Sequence, residues 1–267
     1  MKISLSPLQQ GIVSFLESNE DWLRPILVEK MFQNVDLETE GNMLRNPNVI
    51  VPEYYLQDFH SVRGGYLNKD AALTYDPITS KILVPSEDML RTETAARIPK
   101  TAKKVLDIGC GTGTATRAIA TALPESQVTG VDLSPYMLAA AKMKAKSFNN
   151  ISFLHANATE LPFENESFDA VSASLLFHEM PKSAGELVIK EVLRVLKPGG
   201  TFTVFDGAQY NGVAKLGGNI SSTLFLEPYA EEFLASNLAE MMSILGFKEV
   251  ESTPIVVFYE IRQGIKS

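Results

Sequence analysis

The stretch of sequence that decides the fold is VLDIGCGTGTAT, residues 105–116. Gly109, Gly111 and Gly113 alternate with other residues directly after a short apolar run that contains Asp107. Glycine has no Cβ, so a chain built in this way turns sharply and lets a ligand touch its backbone. The pattern predicts a strand that ends at the loop and a helix that begins after it.

Length and composition are those of an ordinary globular protein. The chain has 267 residues, of which 45% are hydrophobic and 21% charged, enough for one large α/β domain or a core with an appendage. The net charge of −8 and the absence of a Lys/Arg-rich cluster argue against nucleic-acid binding, because such binding relies on basic residues that neutralise phosphates.

The cysteine content and the N-terminal sequence indicate the compartment. The single cysteine, Cys110, excludes an intrachain disulfide and a cysteine-rich metal site, and it suits a reducing environment. Three scattered histidines have no metal-ligand spacing, so no metal site is predicted. Residues 1–22 contain no apolar run long enough for a signal sequence or a membrane span. We therefore expect a cytoplasmic protein without a membrane span.

The chain divides near residue 100 into two regions with different sequence patterns. Residues 1–100 have no alternation of strands and helices, and we expect them to form a helical cap or lid on the substrate side. Residues 101–267 alternate strands with helices and form the second domain. Within the cap, the pattern predicts helices over residues 7–18, Trp22–Phe32 and Pro85–Ala96, and a loop-rich segment over residues 54–81.

Short apolar runs and helical stripes alternate from Lys103 onward. This order predicts right-handed βαβ units and a mainly parallel, doubly wound α/β sheet, whose buried strands read as continuous apolar runs. The predicted helices follow the glycine loop, begin at Pro135 after the N-cap Ser134, and cover Pro181–Lys197 and Leu234–Leu245. The predicted strands are Lys103–Ile108, Gln127–Asp132, Ile151–Leu154, Phe168–Ser174, Thr201–Phe205, Lys248–Val250 and Pro254–Ile261.

Two carboxylates beside the glycine loop indicate the kind of ligand. Asp132 ends the next strand about 20 residues beyond the loop, where an acidic side chain accepts hydrogen bonds from ribose hydroxyls. A dinucleotide fingerprint reads G-x-G-x-x-G, whereas here Thr114 stands in place of the third glycine. Asp107 directs a negative charge at the loop, which suits a cation such as an amino group better than a pyrophosphate. The loop is therefore typical of a site for a nucleoside-containing cofactor that carries a cationic group.

The motifs DIGCGTG (residues 107–113) and VDLSPYML (residues 131–138) resemble those of class I S-adenosylmethionine-dependent methyltransferases. The combination of motifs is most similar to the small-molecule branch that includes the ubiquinone/menaquinone-biosynthesis methyltransferases. This resemblance implies a Rossmann-like, seven-stranded sheet with an antiparallel C-terminal strand and an N-terminal helical cap. The further matching stretches are ANATELPF (residues 156–163), SFDAVSAS (residues 167–174) and RVLKPGG (residues 194–200).

The resemblance also implies a cofactor, S-adenosyl-L-methionine, and roles for individual residues. Asp107 and the loop backbone would hold its methionine part, and Asp132 would take the ribose hydroxyls. Leu133 and Met137 would pack near the adenine, and Asn157, where the family usually has aspartate, would border the ring with Ala158. The implied cofactor-binding residues are Asp107, Gly109, Cys110, Gly111, Gly113, Asp132, Leu133, Met137, Asn157, Ala158 and Ser174.

Two residues are candidates for the chemistry of transfer. His178 follows the fourth strand in SLLFHEMP, where the family often has His-His or His-Glu; it contacts the substrate, acts as a base, or caps the helix near Pro181. Tyr75, followed by Asp76, matches a Tyr-Asp pair that the family often has near cofactor and substrate, and loop packing is the alternative. We interpret His155 as a packing residue.

The sequence favours methyl transfer to an oxygen, carbon or nitrogen of a small organic acceptor. Two alternatives remain: a protein that binds S-adenosylmethionine without transferring its methyl group, and an NAD-dependent oxidoreductase. The fourth strand ends in SASLLFH rather than D/N-P-P-Y/F, which disfavours methylation of a DNA adenine.

Overall fold

The computed structural model of the chain describes residues 36–59, 64–83, 86–209 and 228–267. The helices predicted over residues 7–18 and Trp22–Phe32 lie outside these residues. The described part is built around a single seven-stranded sheet with the strand order β3-β2-β1-β4-β5-β7-β6. The strands are β1 Lys104–Ile108, β2 Gln127–Asp132, β3 Ile151–His155, β4 Phe168–Ser174, β5 Leu196–Gly207, β6 Phe247–Val256 and β7 Tyr259–Lys266.

The pairing of the strands confirms the predicted fold class. Strands β1 to β5 are parallel to one another, and β7 runs antiparallel to both of its neighbours, β5 and β6. Strand order reverses at β1, which pairs with β2 on one side and with β4 on the other. In a doubly wound sheet, ligands bind at the carboxyl ends of the strands beside this reversal, and the glycine loop begins there.

Helices cover both faces of the sheet. The central strand β1 packs against both layers, because successive residues of a strand point to opposite faces. Val105 packs in one apolar cluster with Ala95 and Ile119, whereas Leu106 packs in another with Val188 and Val192. The helices are α1 Leu37–Leu44, α2 Lys69–Ile82, α3 Glu87–Ala96, α4 Thr114–Ala122, α5 Pro135–Lys144, α6 Lys182–Val195, α7 Ala230–Ala235 and α8 Leu238–Leu245, with short 3₁₀ helices at Glu53–Tyr55 and Phe177–Glu179.

The loop-rich segment predicted over residues 54–81 is wrong in its second half, which forms α2. The side chain of Asn68 caps this helix by accepting a hydrogen bond of 2.9 Å from the Ala71 N–H. Ala71 and Ala72 are buried against α5 in a cluster with Tyr66. The helix continues past Pro77, which lies inside it; tertiary packing therefore outweighs the local signals for a turn.

The C-terminal strands also differ from the prediction. The predicted strand Pro254–Ile261 contains the turn of a β-hairpin, since β6 ends at Val256 and β7 begins at Tyr259. The turn residues Val257 and Phe258 are apolar, so the sequence has none of the Gly, Asn or Asp residues that mark a turn.

Two further boundaries lie elsewhere than predicted. The predicted helix Leu234–Leu245 is two helices, α7 and α8, because Asn237 starts a new one by accepting from the Glu240 N–H at 3.1 Å. Helix α6 ends at Val195 and β5 begins at the next residue, earlier than the predicted Thr201. The extra residues contain Gly199 at a φ of +76° and a break in the pairing with β4, an irregularity typical of a β-bulge.

Candidate functional site

The glycine loop forms the floor of the candidate site at the carboxyl end of β1. Its three glycines all have positive φ, with Gly111 at +52° and Gly113 at +78°, a conformation that costs other residues about 1–2 kcal/mol. A Cβ on Gly113 would lie 2.9 Å from the Ala141 Cβ, so this glycine lets α4 and α5 pack together. Among the described residues, a Cβ on Gly111 would have one atom within 4 Å, Tyr75 Cε1 at 3.9 Å. The space above the Gly111 backbone is therefore bounded by the Tyr75 ring.

Asp107 is a buried carboxylate with one oxygen left over. It is 0% exposed, and its Oδ2 accepts a hydrogen bond of 2.6 Å from the Thr116 hydroxyl on α4. Its Oδ1 is buried and has no hydrogen-bond donor among the residues that the structure describes. Burial raises the pKa of Asp107 to about 6, although the Thr116 hydroxyl and the Arg91 charge act in the opposite direction. A buried acceptor of this kind is suited to a ligand that brings a donor or a positive charge.

Asp132 lies on the other side of the loop, at the end of β2. Its Oδ2 accepts from the Gly111 N–H and its Oδ1 from the Ser134 N–H, both at 2.8 Å. Burial raises the pKa of Asp132 to about 6, against the lowering effect of these backbone donors. Because a carboxylate oxygen can accept two hydrogen bonds, Asp132 keeps acceptor capacity while its orientation is fixed.

Helix α2 brings the predicted pair Tyr75 and Asp76 to the glycine loop. Asp76 Oδ1 accepts from the Thr112 hydroxyl of the loop, and Asp76 Oδ2 lies 2.5 Å from Lys144 Nζ on α5. The Tyr75 ring lies over Gly111 and packs edge-on against Tyr66, with ring centroids 6.1 Å apart. Burial raises the pKa of Tyr75 to about 12. The cap is thus joined directly to the loop.

The remaining predicted contacts line the end of β2 and the loop after β3. Met137 is 2% exposed within α5, and Ala158 packs against the main apolar cluster. The Asn157 Oδ1 accepts from the Thr159 N–H at 2.9 Å, and its Nδ2 donates to the Ile50 carbonyl at 3.3 Å. The side chain of Asn157 is therefore directed into its own loop and toward the cap.

His155 has both ring nitrogens in contact with backbone groups. Its Nδ1 accepts from the Asn46 N–H, and its Nε2 lies at hydrogen-bond distance from the Leu133 carbonyl, both at 2.9 Å. Burial lowers the pKa of His155, so the ring is neutral at pH 7. These contacts tie the segment after α1 to the loop after β2, which is a packing role.

Arg91 on α3 is a residue that sequence reasoning missed. It is 4% exposed, it pairs with Glu87 at 3.3 Å, and one of its nitrogens donates to the Ser174 hydroxyl at the end of β4. Its charge acts on both Asp107 and Tyr75. Arg91 and Ser174 are 83 residues apart in the sequence, and a surface pair with Glu87 is all that the local pattern would predict.

His178 lies in the 3₁₀ helix after β4, where it meets a second missed residue, Asp206 of β5. The His178 Nδ1 lies 2.6 Å from Asp206 Oδ1, and its Nε2 lies 3.5 Å from Glu179 Oε1. The Tyr66 hydroxyl of the cap donates to Glu179 Oε1 at 2.7 Å. His178 is therefore part of a polar group that joins the sheet to the cap.

Neither a metal-binding cluster nor a membrane-spanning helix is found in the described ranges. No group of three or more His, Cys, Asp or Glu side chains there is arranged to hold a metal ion. None of the helices within these ranges is long and apolar enough to cross a membrane.

Comparison with known proteins agrees with the motifs. Residues 105–200 match a family model described as a methyltransferase domain. The demethylmenaquinone methyltransferase of Staphylococcus aureus (strain JH9) is 41% identical over 107 residues, which are 40% of this chain and 44% of that protein. The match thus spans less than half the length of this relative.

Solved structures share the fold over more of the chain. Phosphoethanolamine N-methyltransferase 2 of Haemonchus contortus, in complex with S-adenosyl-L-methionine, has a TM-score of 0.62 at 17% identity and covers 83% of this chain and 61% of that one. A SAM-dependent methyltransferase from Aquifex aeolicus has a TM-score of 0.55 at 16% identity and covers 75% of this chain and 99% of that one. In the sequence of residues 105–200 and in the topology of its sheet, the chain therefore resembles the class I S-adenosylmethionine-dependent methyltransferases, as its motifs predict.

Proposed function

We propose that the protein binds S-adenosyl-L-methionine at the glycine loop and transfers its methyl group to a small organic acceptor. The observation that carries this proposal is Asp107 Oδ1, a buried carboxylate oxygen with no donor among the described residues, close in sequence to the Gly111 backbone, which a Cβ does not cover. An ammonium group is the ligand group that best satisfies such an oxygen. The methionine part of the cofactor has that group.

The remaining contacts of the cofactor follow from the two strands that flank the loop. Asp132, held by the Gly111 and Ser134 N–H groups, would accept from the ribose hydroxyls. Leu133, Met137, Asn157 and Ala158 would surround the adenine. The buried carboxylate of Asp107 disfavours a pyrophosphate at the loop, which weakens the case for NAD.

We also propose different roles for the two regions of the chain. Residues 101–267 would hold the cofactor, and residues 1–100 would cover it as a cap on the substrate side. Tyr66 and Tyr75 support this arrangement, since they bring cap residues to Glu179 and Gly111. The buried free thiol of Cys110 suits a reducing compartment, and we propose the cytoplasm.

Methyl transfer mainly requires that the protein position the two reactants. S-adenosylmethionine supplies, when bound, a methyl group on a positively charged sulfur. The chain's own residues must hold the acceptor in line with that group and exclude water, which together contribute roughly 7–11 kcal/mol when reactants are well oriented. Tyr75, partly buried above the loop, supports the exclusion of water.

The acceptor that we propose is a small molecule. A demethylmenaquinone methyltransferase and a phosphoethanolamine N-methyltransferase are among the similar proteins, and both names describe methylation of small organic compounds. The acidic composition supports this class over nucleic acid.

Isothermal titration calorimetry with S-adenosylhomocysteine and with NAD tests the cofactor assignment. We expect binding of S-adenosylhomocysteine and no binding of NAD. Asp132→Ala should weaken the binding by on the order of 1.5–3 kcal/mol, because it removes a charged acceptor. Asp169→Asn is the matched control: this carboxylate lies at the opposite end of β4, where it accepts from the Lys103 and Lys104 N–H groups. Binding of NAD alone would contradict the proposal.

A further inference from the structure

A row of ionisable groups with alternating charge runs from His178 into the interior of the sheet. Asp206 of β5 is 0% exposed and lies 2.6 Å from the imidazole. Arg262 of β7 is 1% exposed and acts electrostatically on Asp206. Glu260, 3% exposed, forms an ion pair with Arg262. Buried charges are stable only when they are paired in this way.

Asp206 is fixed in position and in charge. Its Oδ2 accepts from the Phe177 N–H at 2.9 Å, and its Oδ1 accepts from the Gly207 N–H at 2.8 Å in addition to contacting His178. Burial alone would raise the pKa of Asp206, but His178, the Gly207 N–H and Arg262 together lower it. Asp206 is therefore a carboxylate that cannot turn away from the imidazole.

The other neighbours of His178 reinforce the effect of Asp206. Glu179 lies 3.5 Å from Nε2, Tyr66 and Tyr75 are the titratable cap residues nearby, and Phe233 of α7 packs edge-on against the ring at 6.3 Å. Burial alone would lower the pKa of His178, but the attraction of Asp206 and Glu179 outweighs it and raises that pKa well above the ordinary value. Each ring nitrogen faces a carboxylate, an arrangement that favours the doubly protonated imidazole.

We propose that Asp206 and Arg262 are positioning residues that hold His178 as a hydrogen-bond donor to an anionic oxygen, such as a phenolate or an enolate, of the methyl acceptor. This inference rests on the proposed function and replaces the role of His178 as a base. The anionic acceptor provides the electron pair of the new bond to carbon, the carbon–sulfur pair stays with sulfur, and no proton passes to His178.

Nuclear magnetic resonance of the imidazoles tests the positioning residues without an activity assay. The chain has only three histidines, so His178→Ala assigns the signal. We expect His178 to stay protonated at pH 7.5 in the wild type, and its pKa to fall by about 1–3 pH units in Asp206→Asn. Arg262→Met removes a positive charge near the pair, so the pKa of His178 should not fall; Asp206→Glu should restore most of the effect, and the control Asp169→Asn should change nothing. A wild-type His178 that titrates near 6.5, the ordinary value, would overturn the proposal.

The class of acceptor is tested with para-nitrophenol, whose ionised form absorbs visible light. In the presence of S-adenosylhomocysteine, we expect the wild type to bind the probe as the phenolate below its solution pKa, and His178→Ala to lose this shift. Binding of the neutral phenol, or no binding, would overturn an anionic acceptor.

Calorimetry on the same samples separates this inference from the proposed function. A protonated His178 in a protein that does not bind S-adenosylhomocysteine would support the positioning residues and contradict the cofactor site. Cofactor binding together with a His178 that titrates near 6.5 would overturn the positioning residues alone.

Discussion

Asp107 and Asp132 are ionisable groups buried next to a loop that has no cation of its own. Each has a pKa of about 6 in the ligand-free protein, chiefly because burial disfavours the charged form. The folded chain therefore binds protons that the unfolded chain has already released between about pH 4 and pH 6. A cationic ligand would favour the ionised form of these carboxylates and lower their pKa values, so the affinity for the ligand depends on pH.

The stability of the ligand-free protein should follow these two carboxyl groups. Because their folded pKa values are raised, their stabilising contribution is complete below about pH 4 and is lost as pH rises through about 6. We expect Asp107→Asn, which removes one of these charges, to stabilise the ligand-free protein at pH 7 by on the order of 2 kcal/mol. Urea unfolding at pH 4.5 and 7 measures the difference. A variant less stable than the wild type at both pH values would show that the Asp107 charge does not destabilise the folded protein.

The same substitution should harm cofactor binding. At pH 7, Asp107→Asn leaves no carboxylate for the proposed ammonium group, and we expect the affinity for S-adenosylmethionine to fall at least tenfold. In the wild type, the affinity should fall by up to about tenfold per pH unit below pH 6. Calorimetry between pH 5 and 8 measures both effects. Equal affinity for the two proteins at pH 7 would mean that the ammonium group binds elsewhere.

Gly111 is expected to tolerate no side chain once the cofactor is bound. Gly111→Val should abolish binding, because the side chain would occupy the space between the loop backbone and the Tyr75 ring. The matched control is Gly199→Val, which has a similarly positive φ of +76° but no atom of the described residues within 4 Å of its added Cβ. The two variants share the backbone strain, so calorimetry isolates the effect of the side chain. Normal binding by Gly111→Val would place the cofactor away from this backbone.

Helix α2 is the element that joins the region before β1 to the glycine loop. Its contacts converge on Asp76, whose carboxylate meets Thr112 and Lys144. The Lys144 side chain is only 11% exposed, and burial lowers its pKa although Asp76 acts in the opposite direction. Removal of one partner from a pair this buried is costly, because the other charge stays behind without compensation.

Asp76→Asn should loosen α2 without unfolding the sheet. We expect amide hydrogen exchange in residues 69–82 to accelerate at least tenfold, and exchange in β1 and β4 to stay unchanged. Glu93→Gln is the control: it breaks a more exposed pair with Arg97 on α3, which contributes at most about 1 kcal/mol. Equal acceleration in the sheet would show that Asp76 supports the whole fold rather than the cap.

Local patterns predicted the strands that are buried and failed where contacts are long-range. Strands β1, β2 and β4 are largely buried and rich in apolar residues, so their positions and the sheet type were predictable. Helix α2 was not, because its buried face packs on α5 rather than showing in local propensity. Within the site, the glycine loop and its carboxylates share one local motif. Asp206 meets His178 across 28 residues of sequence, and Arg91 meets Ser174 across 83. Both contacts form only in the folded protein, and no local pattern marks these residues.

The described residues combine a methyltransferase-like sheet with a region before β1 that reaches the carboxyl end of the strands. A protein that binds S-adenosylmethionine without transferring its methyl group would have the same loop, so binding alone does not distinguish the two functions. Incubation with methyl-labelled S-adenosylmethionine and a cell extract does. We predict that label enters a small-molecule fraction with the wild type and not with Gly111→Val. Cofactor binding without transfer of label to any component of the extract would contradict the account.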